Sequence, residues 1–168
     1  CSAAWSIRSA TRYCIAMQWI DGATLADWLR HIKSGSAAEG GAFLSFVAGK
    51  ARGTPAYDPQ RVLERDAIQA MDALHLSCWL ALQIAAAIDF AHSKNVLHLD
   101  LKPANIFLSF YGRPLVGDFN VSVDARHAHV MGGTPRYMPP EQTLNGTGDG
   151  RADVFAFGVL TKEMVTRQ

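Results

Sequence analysis

A short run of polar residues lies between an apolar stretch of helical periodicity and two short strand-like segments. The run spans residues 98–105 and contains Asp100, Lys102 and Asn105. A second acidic residue, Asp118, comes thirteen positions after Asn105. The residues between them have the pattern strand, turn, strand, and a hairpin would return Asp118 to the side of Asn105. The sequence therefore predicts one site that combines two carboxylates, an amide and a lysine.

These four side chains suit the transfer of a phosphoryl group. Asp100 can accept the proton of an attacking hydroxyl, and Lys102 can neutralise charge on the phosphoryl group that moves. Asn105 and Asp118 offer the oxygen ligands that Mg²⁺ prefers. The alternative is a polar surface turn, which would require four coincidences of residue type and spacing. We expect Asp100 and Lys102 to be catalytic, and Asn105 and Asp118 to bind the metal.

The pattern resembles the catalytic core of the protein kinases, whose signature is H-R-D-L-x-x-x-N followed by D-F-G. Three other segments resemble kinase motifs in the order of that family. Residues 13–22 are similar to the last small-lobe strand and the hinge, and residues 133–141 to the end of the activation segment. Residues 153–159 are similar to the start of the central helix of the large lobe. Four motifs in one order make the resemblance specific.

The resemblance implies an α+β, protein kinase-like fold that is truncated. Residues 1–17 would form the end of the small β lobe and residues 18–24 the hinge. Residues 25–168 would form most of the mainly α-helical large lobe, with an insertion at about residues 34–70 that matches no known motif. No glycine-rich loop, strand lysine or partner glutamate precedes the hinge. We therefore expect the chain to be an internal part of a longer protein and to be nearly inactive alone.

The same resemblance implies an ATP site at the hinge. Met17 corresponds to the gatekeeper at the back of the adenine pocket, although a buried Met on a strand is also ordinary core packing. Gln18 and Ile20 would offer backbone groups to the adenine edge. ATP and Mg²⁺ are the cofactors that the family implies, with Lys102, Asn105 and Asp118 on the phosphate side.

Several other residues would have structural or substrate-positioning roles. His98 corresponds to a residue that packs beneath the site and helps to align Asp118. Asp153 corresponds to a buried anchor for the backbone of the 98–105 segment. Glu141 corresponds to the end of the activation segment, where the family pairs it with an arginine further along the chain. Thr134 would form a hydrogen bond near Lys102, or alternatively be an ordinary loop hydroxyl or a phosphorylation site.

Two departures from the family pattern bear on regulation. Leu99 stands where many kinases have the arginine that pairs with a phosphate in the activation segment. We expect that phosphorylation of Ser122 or Thr134 does not activate the protein by this route. Asn120 replaces the glycine of D-F-G, and asparagine is the residue other than glycine that best tolerates positive φ. This replacement does not indicate an inactive protein.

Together these features predict a eukaryotic-like serine/threonine protein kinase of the kind found in bacteria. Lys102 and the Gly-Thr-Pro-x-Tyr pattern at residues 133–137 resemble serine/threonine rather than tyrosine kinases, so the predicted partner is a protein with a Ser or Thr acceptor. One alternative is a pseudokinase that acts as a nucleotide- or partner-binding scaffold, which the visible catalytic residues disfavour. Another is a lipid, sugar or antibiotic phosphotransferase, which the substrate-docking segment 133–141 disfavours.

Composition adds limits on partners and location. Apolar residues make up 49% of the chain and charged residues 18%, which favours a packed core over disorder. The net charge of +1 gives no reason to expect nucleic acid or an anionic membrane as a partner. Three widely spaced cysteines indicate free thiols in the cytoplasm. The most apolar run, residues 76–91, looks too short to span a membrane and contains Gln83 and Asp89.

Local patterns predict the main elements. Thr24 would cap a helix over residues 25–31, and Gly22 would give the hinge its freedom to turn. Residues 34–41 read as a loop, and the rest of the insertion as partly helical from Pro59. Apolar spacing predicts helices over residues 72–94 and 153–166, and a pair of strands within residues 1–18.

Overall fold

Six helices and five short strands make up the described part of this protein, a computed structural model that describes residues 5–9, 12–16, 19–53, 58–119, 134–145 and 149–167. Met17, Gln18, Asn120 and Ser122 lie outside the described residues. Two single-turn 3₁₀ helices, Pro103–Asn105 and Pro135–Tyr137, accompany the longer elements. In chain order these elements are β1 (Trp5–Ser9), β2 (Arg12–Ala16), β3 (Gly22–Thr24), α1 (Leu25–Lys33), α2 (Gly40–Lys50), α3 (Pro59–Gln69), α4 (Ala73–Ser93), β4 (Ile106–Ser109), β5 (Pro114–Val116), α5 (Pro140–Asn145) and α6 (Gly150–Thr166).

The strands form two small antiparallel sheets. β1 pairs with β2, which confirms the strand pair that the sequence predicts near the amino terminus. The second sheet has the order β3-β4-β5, and in it β4 pairs with β5 so that Ile106 lies opposite Val116. The turn between these two strands contains Gly112, whose φ of 87° favours glycine. The predicted hairpin between Asn105 and Asp118 is therefore present.

Gly22 has a different function from the one that its sequence position suggests. It lies inside β3 and pairs with Ser109 of β4, so it is not a point of free rotation. A Cβ atom at this position would overlap the carbonyl oxygen of Leu108. The close approach of two backbones, rather than a turn, explains why glycine is needed here.

Helix α1 starts at the predicted cap and extends slightly beyond the predicted end. The Thr24 side chain accepts a hydrogen bond from the backbone N–H of Asp27, and the Asp27 carboxylate accepts one from the backbone N–H of Thr24. This reciprocal pair is a capping box. One face of the helix is buried, and it contributes Leu25, Trp28, Leu29 and Ile32 to the core.

The region read as an unassigned insertion is an integral part of the core. Residues 40–50 form α2, a helix that the sequence pattern does not predict, while α3 begins at Pro59 as expected. Phe43 of α2 is fully buried and packs edge-to-face on Trp28, with ring centroids 5.2 Å apart. Gly40 lies so close to Ile68 of α3 that a Cβ atom there would overlap a backbone oxygen. The insertion thus packs against α1 rather than forming an external loop.

Helix α4 is the longest helix among the described residues and lies against α6. Its buried side includes Leu80 and Ile84, which share the core with Leu160 of α6. At 21 residues with a mean hydropathy of 1.5, α4 is long and apolar enough to cross a membrane by length and composition alone. The expectation that this run is too short is therefore wrong. Core helices of globular proteins meet the same two criteria, so this is weak support for a membrane span.

Candidate active site

The 98–105 loop, which contains Asp100, Lys102 and Asn105, is held in place by a buried carboxylate on α6. Asp153 is fully buried, and its two oxygens accept hydrogen bonds from the backbone N–H groups of His98 at 2.9 Å and Leu99 at 2.7 Å. The Nε2 atom of His92 donates to the same carboxylate at 2.8 Å. Three donors surround one buried carboxylate, which compensates the cost of removing it from water. The sequence analysis places Asp153 at this position but misses His92.

His98 connects the two halves of the predicted site. It is fully buried, and its Nε2 atom lies 2.9 Å from the carbonyl oxygen of Gly117, directly before Asp118. Its Nδ1 atom accepts the backbone N–H of Asp100 at 3.3 Å. Because a carbonyl oxygen can only accept, the proton of the imidazole belongs on Nε2. The ring also packs on Phe119, with centroids 4.8 Å apart.

Asp100 and Lys102 form the centre of the site. The Lys102 ammonium lies 2.6 Å from an Asp100 carboxylate oxygen, and both side chains are about one-quarter exposed, at 26% and 25%. The same ammonium donates to the Thr134 hydroxyl at 3.2 Å. The structure therefore brings the hydroxyl of Thr134, thirty-two positions further along the chain, into contact with the Asp100–Lys102 pair, and the pair is partly open to solvent.

Asn105 directly precedes β4 and Asp118 follows β5, so both residues lie at the base of the β4–β5 hairpin. The Asn105 amide nitrogen donates to Asp100, to the backbone oxygen at 2.8 Å and to the carboxylate at 3.2 Å. The Asn105 backbone oxygen accepts the N–H of Gly117 at 2.9 Å, which brings the chain back to Asp118. Asp118 is exposed and has a φ of 55°, a conformation uncommon for a residue other than glycine.

The oxygen atoms of this pair fit a hard divalent cation. The Asn105 side chain contacts Asp100 through its amide nitrogen, and its amide oxygen is the atom of that group that can bind a cation. Among the described residues no group of three His, Cys, Asp or Glu could hold a metal. A site of one carboxylate and one amide suits Mg²⁺, which keeps several waters and binds substrate phosphates.

Leu99 occupies an apolar environment. Its side chain is 4% exposed and clusters with Leu97 and Ala152. Its φ is 60°, and its carbonyl oxygen accepts a hydrogen bond from Gln142 of α5 at 3.4 Å. The peptide groups on both sides of Leu99 are thus bound by side chains from α5 and α6, which stabilises an unusual backbone conformation.

Two further predicted residues lie on α5 and in the segment before β3. Glu141 is exposed in the first turn of α5. Ile20 is half-buried in the segment that leads into β3. Nothing in the structure assigns either of them a ligand.

A second ion network, which the sequence analysis does not anticipate, lies next to Lys102 and Thr134. One carboxylate oxygen of Glu163 accepts from the Lys33 ammonium at 2.7 Å, and the other accepts from the Tyr137 hydroxyl at 2.6 Å. The Arg136 guanidinium is 3.7 Å from the first oxygen. Glu163 is 6% exposed. It lies one helical turn after the buried Leu160 and directly before the buried Met164 in α6, and this spacing is the sequence signal that could have revealed a buried acid.

The network changes the ionisation of its members. Burial raises the pKa of Glu163, but hydrogen bonds from Lys33 and Tyr137 and the nearby cations outweigh it, so the pKa lies below its ordinary value. Burial raises the pKa of Tyr137. The hydrogen bond to the Glu163 carboxylate and the negative charge of that carboxylate raise this pKa as well. The network therefore stabilises an ionised Glu163 and a neutral Tyr137.

Comparison with known proteins identifies the family of this chain. A sequence profile of the family described as "Protein kinase domain" matches residues 55–168. The chain is 36% identical over 121 residues to serine/threonine-protein kinase Pkn1 of Myxococcus xanthus, covering 59% of this chain and 18% of that protein. It is 38% identical over 85 residues to Aurora/IPL1-related protein kinase 2 of Caenorhabditis briggsae, covering 49% and 28%.

A human relative gives a similar match. The chain is 38% identical over 94 residues to the serine/threonine-protein kinase ULK3 of Homo sapiens, covering 51% of this chain and 19% of that protein. The chain thus spans less than a third of the length of each of these three relatives.

Proposed function

This chain belongs to the protein kinase domain family, and from that premise we propose that its parent protein is a serine/threonine protein kinase. The family uses ATP and, typically, a divalent metal ion. The proposed reaction transfers the γ-phosphoryl group of ATP to a Ser or Thr hydroxyl of a protein substrate. The names of the relatives support the serine/threonine assignment, and they give no support to the pseudokinase alternative.

One observation carries this proposal: the contact of the Lys102 ammonium with both Asp100 and Thr134, at 2.6 and 3.2 Å. The three groups lie on two separate segments, so only the folded chain creates the arrangement. This arrangement suits the attack of a hydroxyl on a phosphoryl group. The carboxylate can accept the proton of the hydroxyl, and the neighbouring cation can stabilise the negative charge on the phosphoryl group.

The chain's own residues perform three tasks in the proposed mechanism. Asp100 orients the acceptor hydroxyl and accepts its proton as the oxygen attacks the γ-phosphorus and the bond to the leaving ADP oxygen breaks. Lys102 stabilises the charge on the transferring oxygens. Thr134 positions Lys102 through its hydroxyl, so that the ammonium does not turn away from the acceptor. Catalysis is then mainly positioning and electrostatic stabilisation.

Asn105 and Asp118 are the residues proposed to hold Mg²⁺. When bound, the cation would neutralise charge on the ATP phosphates. Asn105 also positions Asp100 by donating to its carboxylate, and His98 positions the peptide before Asp118 through Gly117.

Several further assignments belong to the same proposal. Residues 18–24 would act as the hinge, with Ile20 contributing to adenine binding, and residues 1–17 and 25–168 would belong to the small and large lobes. The proposed location is the cytoplasm. The proposed partner is a protein substrate.

The test uses the full-length product of the gene that carries this sequence. Phosphate incorporation from radiolabelled ATP into serine- and threonine-containing peptides should fall by about 10²–10⁴-fold in Asp100→Asn. It should be abolished in Asp118→Asn if that residue binds the metal. Asp89→Asn, at an exposed position of α4, is the matched control and should retain the wild-type rate. Unchanged incorporation in Asp100→Asn would overturn the proposed function.

A further inference from the structure

The tip of the β4–β5 hairpin, residues 110–113, is held by the helical region between α1 and α4. Arg65 of α3 donates a hydrogen bond from its guanidinium to the backbone oxygen of Phe110 at 2.7 Å. The same guanidinium lies over the Phe110 ring, 5.1 Å from its centroid. Hydrogen bonds from a charged donor are stronger than those between neutral groups, so this bond firmly fixes the residue that directly follows β4.

Gly112, in the same tip, packs against both helices of that region. A Cβ atom at this position would lie 2.9 Å from the side chain of Leu44 and 3.2 Å from that of Ile68, so the space between them is filled. Leu44 belongs to α2 and Ile68 to α3, and both are buried. At the next residue of the tip, the Arg113 guanidinium is 3.7 Å from the Glu64 carboxylate of α3. The tip is thus held by a charged hydrogen bond, by close packing and by an ion pair.

The base of this hairpin carries the proposed metal ligands, Asn105 and Asp118. Among the strands that the structure describes, β4 has a neighbour on each side, whereas β5 pairs with β4 alone. The position of β5 therefore depends on its ladder with β4, on the packing of Val116 against the core and on what holds its two ends. His98 holds the end near Asp118 through the carbonyl oxygen of Gly117, and α3 holds the other end.

A displacement of the tip should reach the metal ligands through the paired strands. Four residues of β4, or about 13 Å, separate the tip from the base, and a hydrogen-bonded strand pair transmits a shift over that distance. Mg²⁺ requires nearly ideal octahedral geometry at short distances, so a small change in the spacing of its ligands weakens binding.

We propose that Arg65 is a positioning residue for the metal site: by fixing the hairpin tip, it keeps Asn105 and Asp118 at the spacing that binds Mg²⁺. The inference rests on the proposed function, because it concerns the metal site of that same reaction. Arg65 lies at the far end of the hairpin and touches no reacting atom. Its effect is on the affinity for the cation.

The experiment measures the affinity of a fluorescent ATP analogue for the full-length gene product at increasing concentrations of Mg²⁺, and with EDTA in place of the metal. This binding reports on the metal site without requiring phosphate transfer. In Arg65→Gln the concentration of Mg²⁺ that gives half of the maximal increase in nucleotide affinity should rise by roughly three- to tenfold. A residue that contacts a metal ligand directly typically changes metal affinity by about 10–100-fold, and Arg65 is more remote. The nucleotide affinity in EDTA should stay at the wild-type value.

Two further variants test the cause of this shift. Arg65→Lys should fall between the wild type and Arg65→Gln, because an ammonium can donate to the Phe110 oxygen but lacks the planar group that covers the ring. The matched control is Arg151→Gln, which removes an exposed arginine whose ion pair is with Asp149, two positions earlier. Its Mg²⁺ requirement should equal that of the wild type. Thermal melting of each variant is measured in parallel, since a loss of stability alone would lower the melting temperature without changing the Mg²⁺ requirement of the folded protein.

The outcomes separate this inference from the proposed function. A wild-type Mg²⁺ requirement in a folded Arg65→Gln, or an equal rise in Arg151→Gln, would overturn the role of Arg65. If Arg65→Gln does not fold at the assay temperature, Arg65→Lys decides, and a wild-type Mg²⁺ requirement in that variant would overturn it as well. If the Arg65 variants shift the Mg²⁺ requirement as stated but the wild-type protein phosphorylates no peptide, the proposed function fails and the role of Arg65 stands.

Discussion

The Nε2 atom of His98 donates a hydrogen bond of 2.9 Å to the carbonyl oxygen of Gly117. This bond joins the loop that carries Asp100 to the segment after β5, which leads to Asp118. The second ring nitrogen accepts the backbone N–H of Asp100, so one buried imidazole orients both acidic segments. The distance between the two carboxylates therefore depends on a side chain that itself reaches no substrate.

Replacing His98 with Phe should keep the ring packed on Phe119 but remove both hydrogen bonds. The two unpaired backbone groups should lower the free energy of unfolding by about 1–3 kcal/mol. Misalignment of Asp118 should reduce kcat at least about tenfold. Initial rates of phosphate incorporation at saturating ATP, with thermal melting in parallel, measure the two effects.

The control for that substitution is His31→Phe. His31 is only partly buried and stacks on Phe46 with centroids 4.7 Å apart, which a phenyl ring can reproduce. Both its melting temperature and its kcat should match the wild type. A His98→Phe protein with wild-type kcat would show that the bond to Gly117 does not align the site.

Asp153→Asn should be strongly destabilising. Asp153 is fully buried and accepts three hydrogen bonds. The NH₂ group of an asparagine side chain would face at least one of these three donors, so that hydrogen bond would be lost. We expect a loss of about 2–4 kcal/mol in the free energy of unfolding, measured by urea titration with circular dichroism. Asp72→Asn at the start of α4 is the control, because asparagine caps a helix as well as aspartate, and should cost less than about 0.5 kcal/mol. Equal losses in the two variants would contradict the anchoring role.

Phosphorylation of the activation segment should not activate the protein through residue 99. Leu99 is buried in an apolar cluster and cannot pair with a phosphate. Treatment of the full-length gene product with a phosphatase should leave its initial rate unchanged, with the loss of phosphate followed by mass spectrometry. A rate that falls severalfold on treatment, and stays low in Ser122→Ala, would argue against this.

Glu163 should contribute to stability in a pH-dependent way. Burial raises its pKa, but its hydrogen bonds and the neighbouring cations lower the pKa by more than burial raises it. The pKa of Glu163 in the folded protein is therefore below its ordinary value. A carboxyl group with a lowered folded pKa stabilises the protein above its unfolded pKa, and that contribution disappears as the pH falls through the folded pKa. The difference in unfolding free energy between wild type and Glu163→Gln should be constant above about pH 5 and shrink below about pH 4.5.

Urea titrations over that pH range measure the difference. Glu39→Gln, which removes a carboxylate at an exposed position, should change the unfolding free energy by less than about 0.5 kcal/mol at pH 7. A difference for Glu163→Gln that stays constant to pH 3 would be inconsistent with a lowered pKa.

Local sequence patterns were sufficient for much of the fold. The capping of α1 at Thr24, the extent of α4 and the β4–β5 hairpin all agree with the prediction, because short-range spacing and turn chemistry determine them. Helix α6 begins at Gly150, somewhat before the predicted start. Helix α2 was missed, because its three glycines and its Ser, Phe and Val residues have low helical propensity of their own. Burial of Phe43 and Val47 against neighbouring helices stabilises it instead.

The sequence by itself determined the residue types of the site and the order of its motifs, since Asp100, Lys102 and Asn105 are separated by only a few positions. Only the tertiary structure decided that Glu163 lies beside Tyr137 and is neutralised by Lys33, a residue separated from it by most of the chain. The physical reason is that an ion pair depends on distance in space. The packing of α1 and α6 sets that distance, and no local pattern in either helix encodes it.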